Sequence, residues 1–292
     1  MDLQVTAAPG AGPEEGPAGH AAAETAGEAE AEAGSATDVV LDVQHVGKRY
    51  GRITALRDVS FQVRAGEVVA LVGDNGAGKS TLVNILSGAL SPTTGHIVMD
   101  GKPVHFHDAN EARRLGIETV YQDLALANDV PAWANLYLGR EITRKGLLGA
   151  FGWLDKAEMA RQAESAMAAT KIRIKSVRAK TGSLSGGQRQ AVAVARAVTW
   201  GSRLLLMDEP TAALGVEQQH QVGELIGAVR ETGTPVLLIS HNMPQVMDVA
   251  DRILVLFHGR LIKQLITADT SVEEIIMWIT GAGLARNKGA AS

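Results

Sequence analysis

The stretch Val68-Val69-Ala70-Leu71-Val72-Gly73-Asp74-Asn75-Gly76-Ala77-Gly78-Lys79-Ser80 decides the fold. Its first five residues form an unbroken apolar run, the composition of a strand buried on both faces. The next eight place Gly73 and Gly78 with four residues between them, then Lys79 and Ser80, which is the pattern of a phosphate-binding loop. Ser80 to Leu86 is amphipathic, so the loop opens a helix. Backbone N–H groups at a helix N-terminus point at an anion, and the helix dipole adds partial positive charge. Glycines let the backbone wrap the phosphates without a Cβ in the way. Lys79 supplies a mobile charge for the outer phosphates, and Ser80 offers a hydroxyl to Mg²⁺.

A second apolar run, Leu204-Leu205-Leu206-Met207, ends in Asp208-Glu209. Such a strand belongs in the middle of a parallel sheet. Open α/β sheets bind ligands at the carboxyl ends of their strands, where these two carboxylates fall. Asp208 is the expected outer ligand of Mg²⁺, and Glu209 is placed to orient or deprotonate an attacking water. A further glycine-rich cradle, Leu184-Ser185-Gly186-Gly187-Gln188, lies about a hundred residues after the first and precedes the alanine-rich helical stretch Arg189–Val198.

The chain has 292 residues, 46% of them hydrophobic, enough for one large domain or two small ones. No apolar run approaches the roughly 20 residues that span a bilayer, so a soluble or peripheral protein is expected. There is no Cys, which excludes disulfide and thiolate chemistry and fits a reducing compartment. Eight acidic residues and no Lys or Arg fall within residues 1–38, a segment of Ala, Gly, Glu and Pro that cannot bury enough apolar surface to offset its ordering entropy. A disordered acidic tail is expected there, without the basic start and apolar segment of a secretory signal. The remaining 24 acidic residues face all 28 basic ones, a balance too mild to imply nucleic acid.

Alternation predicts strands at Val39–Val46, Ser60–Val63, His96–Met99 and Val104–Phe106, the last two joined by a hairpin at Asp100-Gly101. From Ala109 to Lys180 the pattern is helical, with helices at Glu111–Leu115, Pro131–Leu138 and Lys156–Ala169 and a loop over Arg140–Phe151. Strands return at Arg203–Met207, Pro235–Ile239 and Arg252–Leu256, separated by helices at Val216–Arg230 and Met243–Val249, an alternation that implies parallel pairing. The expected fold class is α/β: a phosphate-loop nucleotide-binding core, an antiparallel β subdomain and an inserted helical subdomain at about 109–200. His105 and His107 alternate on a strand, which reads as exposed hairpin residues rather than a metal site.

Taken in order, Gly73–Ser80, Gln122, Leu184–Gln188, Asp208-Glu209 and His241 resemble the ATP-binding subunits of ABC transporters over about residues 39–280, with 281–292 left as a flexible tail. The Leu-Ser-Gly-Gly-Gln run is the most specific element of the resemblance. It implies an ATPase using ATP and Mg²⁺. Nucleotide contacts then fall on Tyr50, which would stack on adenine, and on Gly73, Asp74, Asn75, Gly76, Ala77, Gly78, Lys79, Ser80 and Thr81. The metal would be held by Ser80, Gln122 and Asp208. Catalytic roles fall on Glu209, Lys79, Gln122 and the switch residue His241. Leu184, Ser185, Gly186, Gly187 and Gln188 would close over the nucleotide of a second subunit. One chain with one copy of each motif supplies half of each of two sites, so an ATP-dependent dimer, homodimeric in the simplest case, is expected.

Within the family, Gly101–Phe106, Thr119–Leu126, Leu138–Glu141 and Asp208–Val216 resemble the single-domain ATPases of bacterial monosaccharide importers. That resemblance implies integral-membrane permease partners, an extracytoplasmic solute-binding protein reached through them, no nucleic acid, and a place on the cytoplasmic face of the membrane. An ATPase for another solute (lipid, peptide or metal) and a soluble ABC ATPase of DNA repair or translation are the alternatives. One departure stands out. The family usually has Asp four residues after the Thr of the Pro-Thr pair, and here that position is Gly215.

Overall fold

The computed structural model describes residues 38–146, 151–169, 174, 176–200, 202–212 and 214–284. The expectations for the acidic tail and for most of the C-terminal tail lie outside these residues, as does part of the loop expected at Arg140–Phe151.

Among the described residues ten strands run in chain order: β1 (Val39–Tyr50), β2 (Ile53–Arg64), β3 (Val68–Val72), β4 (Thr94–Met99), β5 (Lys102–Val104), β6 (Ile117–Val120), β7 (Leu204–Asp208), β8 (Val236–Ile239), β9 (Arg252–Phe257) and β10 (Arg260–Ile266). The described residues also form eight α-helices: α1 (Lys79–Leu86), α2 (Ala109–Arg114), α3 (Ala132–Tyr137), α4 (Lys156–Ala169), α5 (Gly186–Thr199), α6 (Val216–Glu231), α7 (Met243–Val249) and α8 (Val272–Ile279). The strands form an antiparallel sheet in the order β2-β1-β4-β5 and a six-stranded sheet in the order β10-β9-β3-β8-β7-β6. In the larger sheet β9, β3, β8, β7 and β6 are mutually parallel and β10 is an antiparallel edge.

The apolar runs fill the middle of the larger sheet because both of its faces are covered. Alternate residues of each strand serve opposite cores, as the two-residue period of a strand requires. Val68, Ala70 and Val72 of β3 join Leu205, Met207, Val236, Leu238, Ile253 and Val255 in a core completed by α3, α4, α5, α6 and α8. Val69 and Leu71 join Leu204, Leu206, Leu237, Ile239, Leu254 and Leu256 in a second core. That core is closed by Leu82, Val83, Ile85 and Leu86 of α1 and by the inner face of the antiparallel sheet.

Asp100 and Gly101 both have positive φ (47° and 74°), the geometry that a two-residue hairpin between right-twisted strands needs. Two features differ from the sequence reading. β6 lies inside the stretch read as helical and pairs in parallel with β7, Val120 opposite Met207. Four residues are too few for periodicity to reveal such a strand, and its register comes from the neighbour. The β9–β10 hairpin and α8 extend the fold beyond the strands read from sequence.

The order of the parallel strands places the loops after β3, β6, β7 and β8 together at one edge of the sheet. Asp208 is level with Ile239, and Leu71 is level with Ile239 from the other side. The phosphate loop, Gln122, Asp208-Glu209 and His241 therefore all leave the sheet at its carboxyl end, where α/β sheets bind ligands.

Candidate functional site

The loop Gly73–Ser80 is held in a tight cradle. The Ala77 N–H donates to the Asp74 carbonyl at 3.1 Å, and the Gly259 N–H donates to the Ala77 carbonyl at 2.9 Å, tying the loop to the β9–β10 turn. A Cβ on Gly73 would stand 2.3 Å from the Leu256 carbonyl oxygen, and one on Gly78 would stand 2.8 Å from the Ala55 oxygen. Gly78 is also left-handed (φ 108°) as it hands the chain to α1. These two glycines are therefore required by close backbone approach as well as by conformation. The Lys79 ammonium donates to the carbonyls of Gly73 (2.7 Å) and Asp74 (3.0 Å), so its charge sits over the loop. Ser80 is exposed, and Thr81 is half-buried one residue on.

At the end of β7, Asp208 is half-buried. Burial pushes its carboxyl above the ordinary value, the neighbouring Glu209 adds to the rise, and Lys79 opposes it. Glu209 has a left-handed backbone (φ 51°), costly for a residue with a Cβ. It is held there by its N–H to the Ile239 carbonyl (2.9 Å) and by its own carbonyl, which accepts from the Ala212 N–H (3.1 Å). The Glu209 carboxylate, 17% exposed, lies 2.6 Å from Nδ1 of His241, whose ring is 73% exposed. Two residues singled out separately in the sequence are thus one hydrogen-bonded pair.

Gln122 follows β6 and is exposed. With Glu209 it lines a cleft of about 820 Å³ whose walls include Gly186, Arg189, Gln190, Leu214 and Gln218. The Leu184–Gln188 run forms the start of α5. Leu184 is buried in the core, and its carbonyl accepts from Arg189 Nη1 at 2.8 Å. Ser185 is the N-cap: its hydroxyl accepts from the Gln188 N–H (3.3 Å), and the Gln188 side chain accepts from the Ser185 N–H (3.2 Å). This reciprocal capping box explains why Ser and Gln stand three residues apart.

Tyr50 lies at the end of β1, 48% exposed, with the Lys48 ammonium 5.4 Å above its ring. It pairs with Ile53 across the β1–β2 turn, and the same hairpin's Ala55 and Leu56 abut Gly78. His105 and His107 are exposed, with rings 5.1 Å apart edge to face. Among the described residues no three or more His, Cys, Asp or Glu side chains cluster as a metal site. The hard oxygen donors Ser80 and Asp208 still suit Mg²⁺, which takes one or two protein ligands and completes its shell with waters and phosphates.

Sequence reasoning missed three polar anchors near the cleft. Arg196 of α5 donates to the carbonyls of Ala125 (2.9 Å) and Leu124 (3.1 Å), pinning the loop that carries Gln122. Buried Asn135 donates to the carbonyl of Ala127 and to Thr181 Oγ1. Thr211 donates to Gln245 Oε1 at 2.7 Å. Each is a polar residue on a helix or turn, with no sequence signal beyond its type.

The profile of the ABC transporter family matches residues 56–212. The fructose import ATP-binding protein of Rhizobium meliloti is 45% identical over 249 residues, covering 85% of this chain and 96% of that protein. The xylose/arabinose import ATP-binding protein of Sulfolobus acidocaldarius is 46% identical over 247 residues, with the same coverage of each. A bacterial ABC transporter cassette solved as a dimer superposes with a TM-score of 0.64 at 26% identity, over 78% of this chain and 98% of that one. The chain belongs to the ABC transporter family and is an ATP-binding, ATP-hydrolysing cassette of it.

Proposed function

We propose that the chain is the energy-coupling ATPase of an importer for a simple sugar, acting as a dimer on the cytoplasmic face of a membrane. The observation that carries this reading is the convergence of the Gly73–Ser80 cradle, Asp208 and the Glu209–His241 pair at one sheet edge, on a chain about as long as two sugar-import ATP-binding proteins that it matches at 45% and 46% identity. Residues 39–280 form the ATP-binding unit. Lys79 and the loop N–H groups bind the β- and γ-phosphates, and Tyr50 stacks on adenine. Ser80, Asp208 and Gln122 hold Mg²⁺, which when bound neutralises phosphate charge. Glu209 accepts a proton from the attacking water, and His241, bonded to the same carboxylate, orients it toward the γ-phosphate. Leu184–Gln188 of one chain closes over the nucleotide of the other, so ATP bridges the dimer and its hydrolysis releases it. Among the described residues no helix is long and apolar enough to cross a membrane. Transport then requires permease subunits, with a solute-binding protein on the far side.

The test is co-purification of the tagged full chain from detergent-solubilised native membranes. The expected partners are a multi-spanning permease and, through it, a sugar-binding protein. Recovery with ribosomes or DNA, and absence from membranes, refutes the importer reading.

A further inference from the structure

In the dimer just described, Leu184–Gln188 serves the partner's nucleotide, whereas Glu209 and His241 serve the chain's own. Within one chain these two sets are joined by a short run of contacts. The start of α5 packs on the segment that leads into α6 and on that helix's first two turns: a Cβ on Gly186 would meet Leu214 Cδ2 at 2.8 Å, and one on Gly187 would meet Gln221 Oε1 at 3.2 Å and Gln218 Cγ at 3.4 Å. The Leu214 carbonyl accepts from Gln219 Nε2 at 3.0 Å. Gln219 Oε1 in turn accepts from Asn242 Nδ2 at 3.0 Å.

Asn242 directly follows His241. Its Oδ1 caps α7 by accepting from the Gln245 N–H at 3.3 Å, and its own N–H donates to Ser240 Oγ at 3.0 Å. Ser240 and Thr211 both donate to Gln245 Oε1, and all three of these side chains are buried. His241 is therefore flanked by two residues whose positions are fixed by directional bonds. Each bridging amide uses its donor at one end and its acceptor at the other, so neither can flip without breaking a bond. Residue 215, where the family usually presents a carboxylate, is glycine and supplies no side chain to this connection.

We propose that Gln219 and Asn242 are positioning residues that link the signature turn at one nucleotide to His241 at the other, making hydrolysis at the two sites of the dimer cooperative. The proposal rests on the energy-coupling reading. The test is a double-mutant cycle, which reads the coupling between the two side chains directly.

Steady-state ATP hydrolysis by the full chain is measured against ATP concentration for wild type, Gln219→Met, Asn242→Ser and the double variant. Met keeps the length and helix propensity of Gln but donates nothing and accepts only weakly through its sulfur. Ser keeps the N-cap but does not reach Gln219. A third variant, Gln219→Glu, keeps the acceptor for Asn242 and sets a carboxylate against the Leu214 carbonyl. Wild type is expected to show a sigmoidal dependence with a Hill coefficient toward about 2, the number of sites. Each single variant should bring it toward about 1 and lower kcat about tenfold, with half-saturating ATP moved less than about twofold. The double variant should be no worse than either single, and Gln219→Glu should match Gln219→Met. Hyperbolic kinetics in wild type, unchanged cooperativity in the variants, or additive losses with parallel falls in melting temperature overturn the proposal. A wild type without ATP hydrolysis refutes instead the energy-coupling reading beneath it.

Discussion

Replacing Arg196 with Met tests whether the loop carrying Gln122 is held by α5. The guanidinium makes two hydrogen bonds to consecutive loop carbonyls, those of Leu124 and Ala125. Ala125 is left-handed (φ 49°) without being glycine, so the loop needs an external hold. Burial pushes the Arg196 pKa below the usual guanidinium range, Arg113 adds to this, and Glu118 opposes it. It remains protonated at any working pH. A hydrogen bond to a charged group contributes about 1.5 kcal/mol at the low end, the appropriate end for a half-exposed loop. Two such bonds come to about 3 kcal/mol, and releasing the half-buried guanidinium from its desolvation returns part of that. A net loss of about 2 kcal/mol lowers the melting temperature by about 4–8 °C for a domain of this size.

The functional consequence is specific. The pinned carbonyls lie two and three residues beyond Gln122, whereas the phosphate loop is untouched. ATP affinity in an equilibrium titration should stay within about twofold of wild type while kcat falls about three- to tenfold, the pattern of a lost transition-state interaction. Arg196→Lys, able to reach one carbonyl, should fall between. An Arg196→Met protein that melts and turns over like wild type, or one that loses affinity as much as turnover, refutes the reasoning.

Glu209→Gln should bind ATP and accumulate as a nucleotide-held dimer with hydrolysis reduced at least about a hundredfold, and equal turnover would remove Glu209 from its role. Gly73→Ala, with its Cβ 2.3 Å from a backbone oxygen, should abolish ATP binding in a titration and lower the melting temperature. Gly215→Asp meets open space at an ordinary φ of −70° and supplies an N-cap side chain to α6. It should raise stability in a denaturant titration by a few tenths of a kcal/mol, and a destabilised variant would contradict the geometry. Burial raises the Glu118 pKa against the opposing charges of Arg140 and Arg113, so the folded chain holds that proton to higher pH than the unfolded one. Stability from this group falls as pH rises from the ordinary carboxylate value through the raised one, so Glu118→Gln should gain on wild type between acid and neutral pH in unfolding measurements.

The parallel core was legible because strands buried on both faces leave an unmistakable signature. Val68–Val72 and Leu204–Met207 admit no other placement once the glycine loop and the carboxylates follow them. Asp100-Gly101 was legible for the same local reason, a turn demanding positive φ. β6 was not, because Ile117–Val120 owes its pairing to β7 and too few residues carry its pattern. The candidate site residues were singled out one by one in sequence, but their partnerships were not. The bond between His241 and Glu209, the grip of Arg196 on the loop after Gln122 and the Gln219–Asn242 bridge each join loops far apart in the chain through side chains whose types occur everywhere. Such pairings follow from sheet order and appear only once the strands are assembled.

The backbone at Glu209 shows why this assembly matters for chemistry. In a continuing strand, Asp208 and Glu209 would face opposite sides of the sheet. The left-handed conformation at Glu209 breaks that alternation at a cost of about 1 kcal/mol or more. Glu209 still acts on Asp208 electrostatically, and Lys79 acts on it from the phosphate loop. Two carboxylates and one ammonium are thus gathered where the sheet ends, with the second carboxylate already bonded to His241. Burial first, and then the neighbouring Glu209, make the Asp208 carboxyl hold its proton more tightly than usual, with Lys79 opposing them. A divalent cation at Ser80 and Asp208 would relieve that opposition, leaving Glu209 free to act as a base. The turn that costs the fold energy is therefore the one that sets base and metal ligand together at the end of the sheet. A Glu209 substitution that restored regular strand geometry should be more stable than wild type and inactive, and thermal unfolding alongside ATP turnover would show whether the two properties part in that direction.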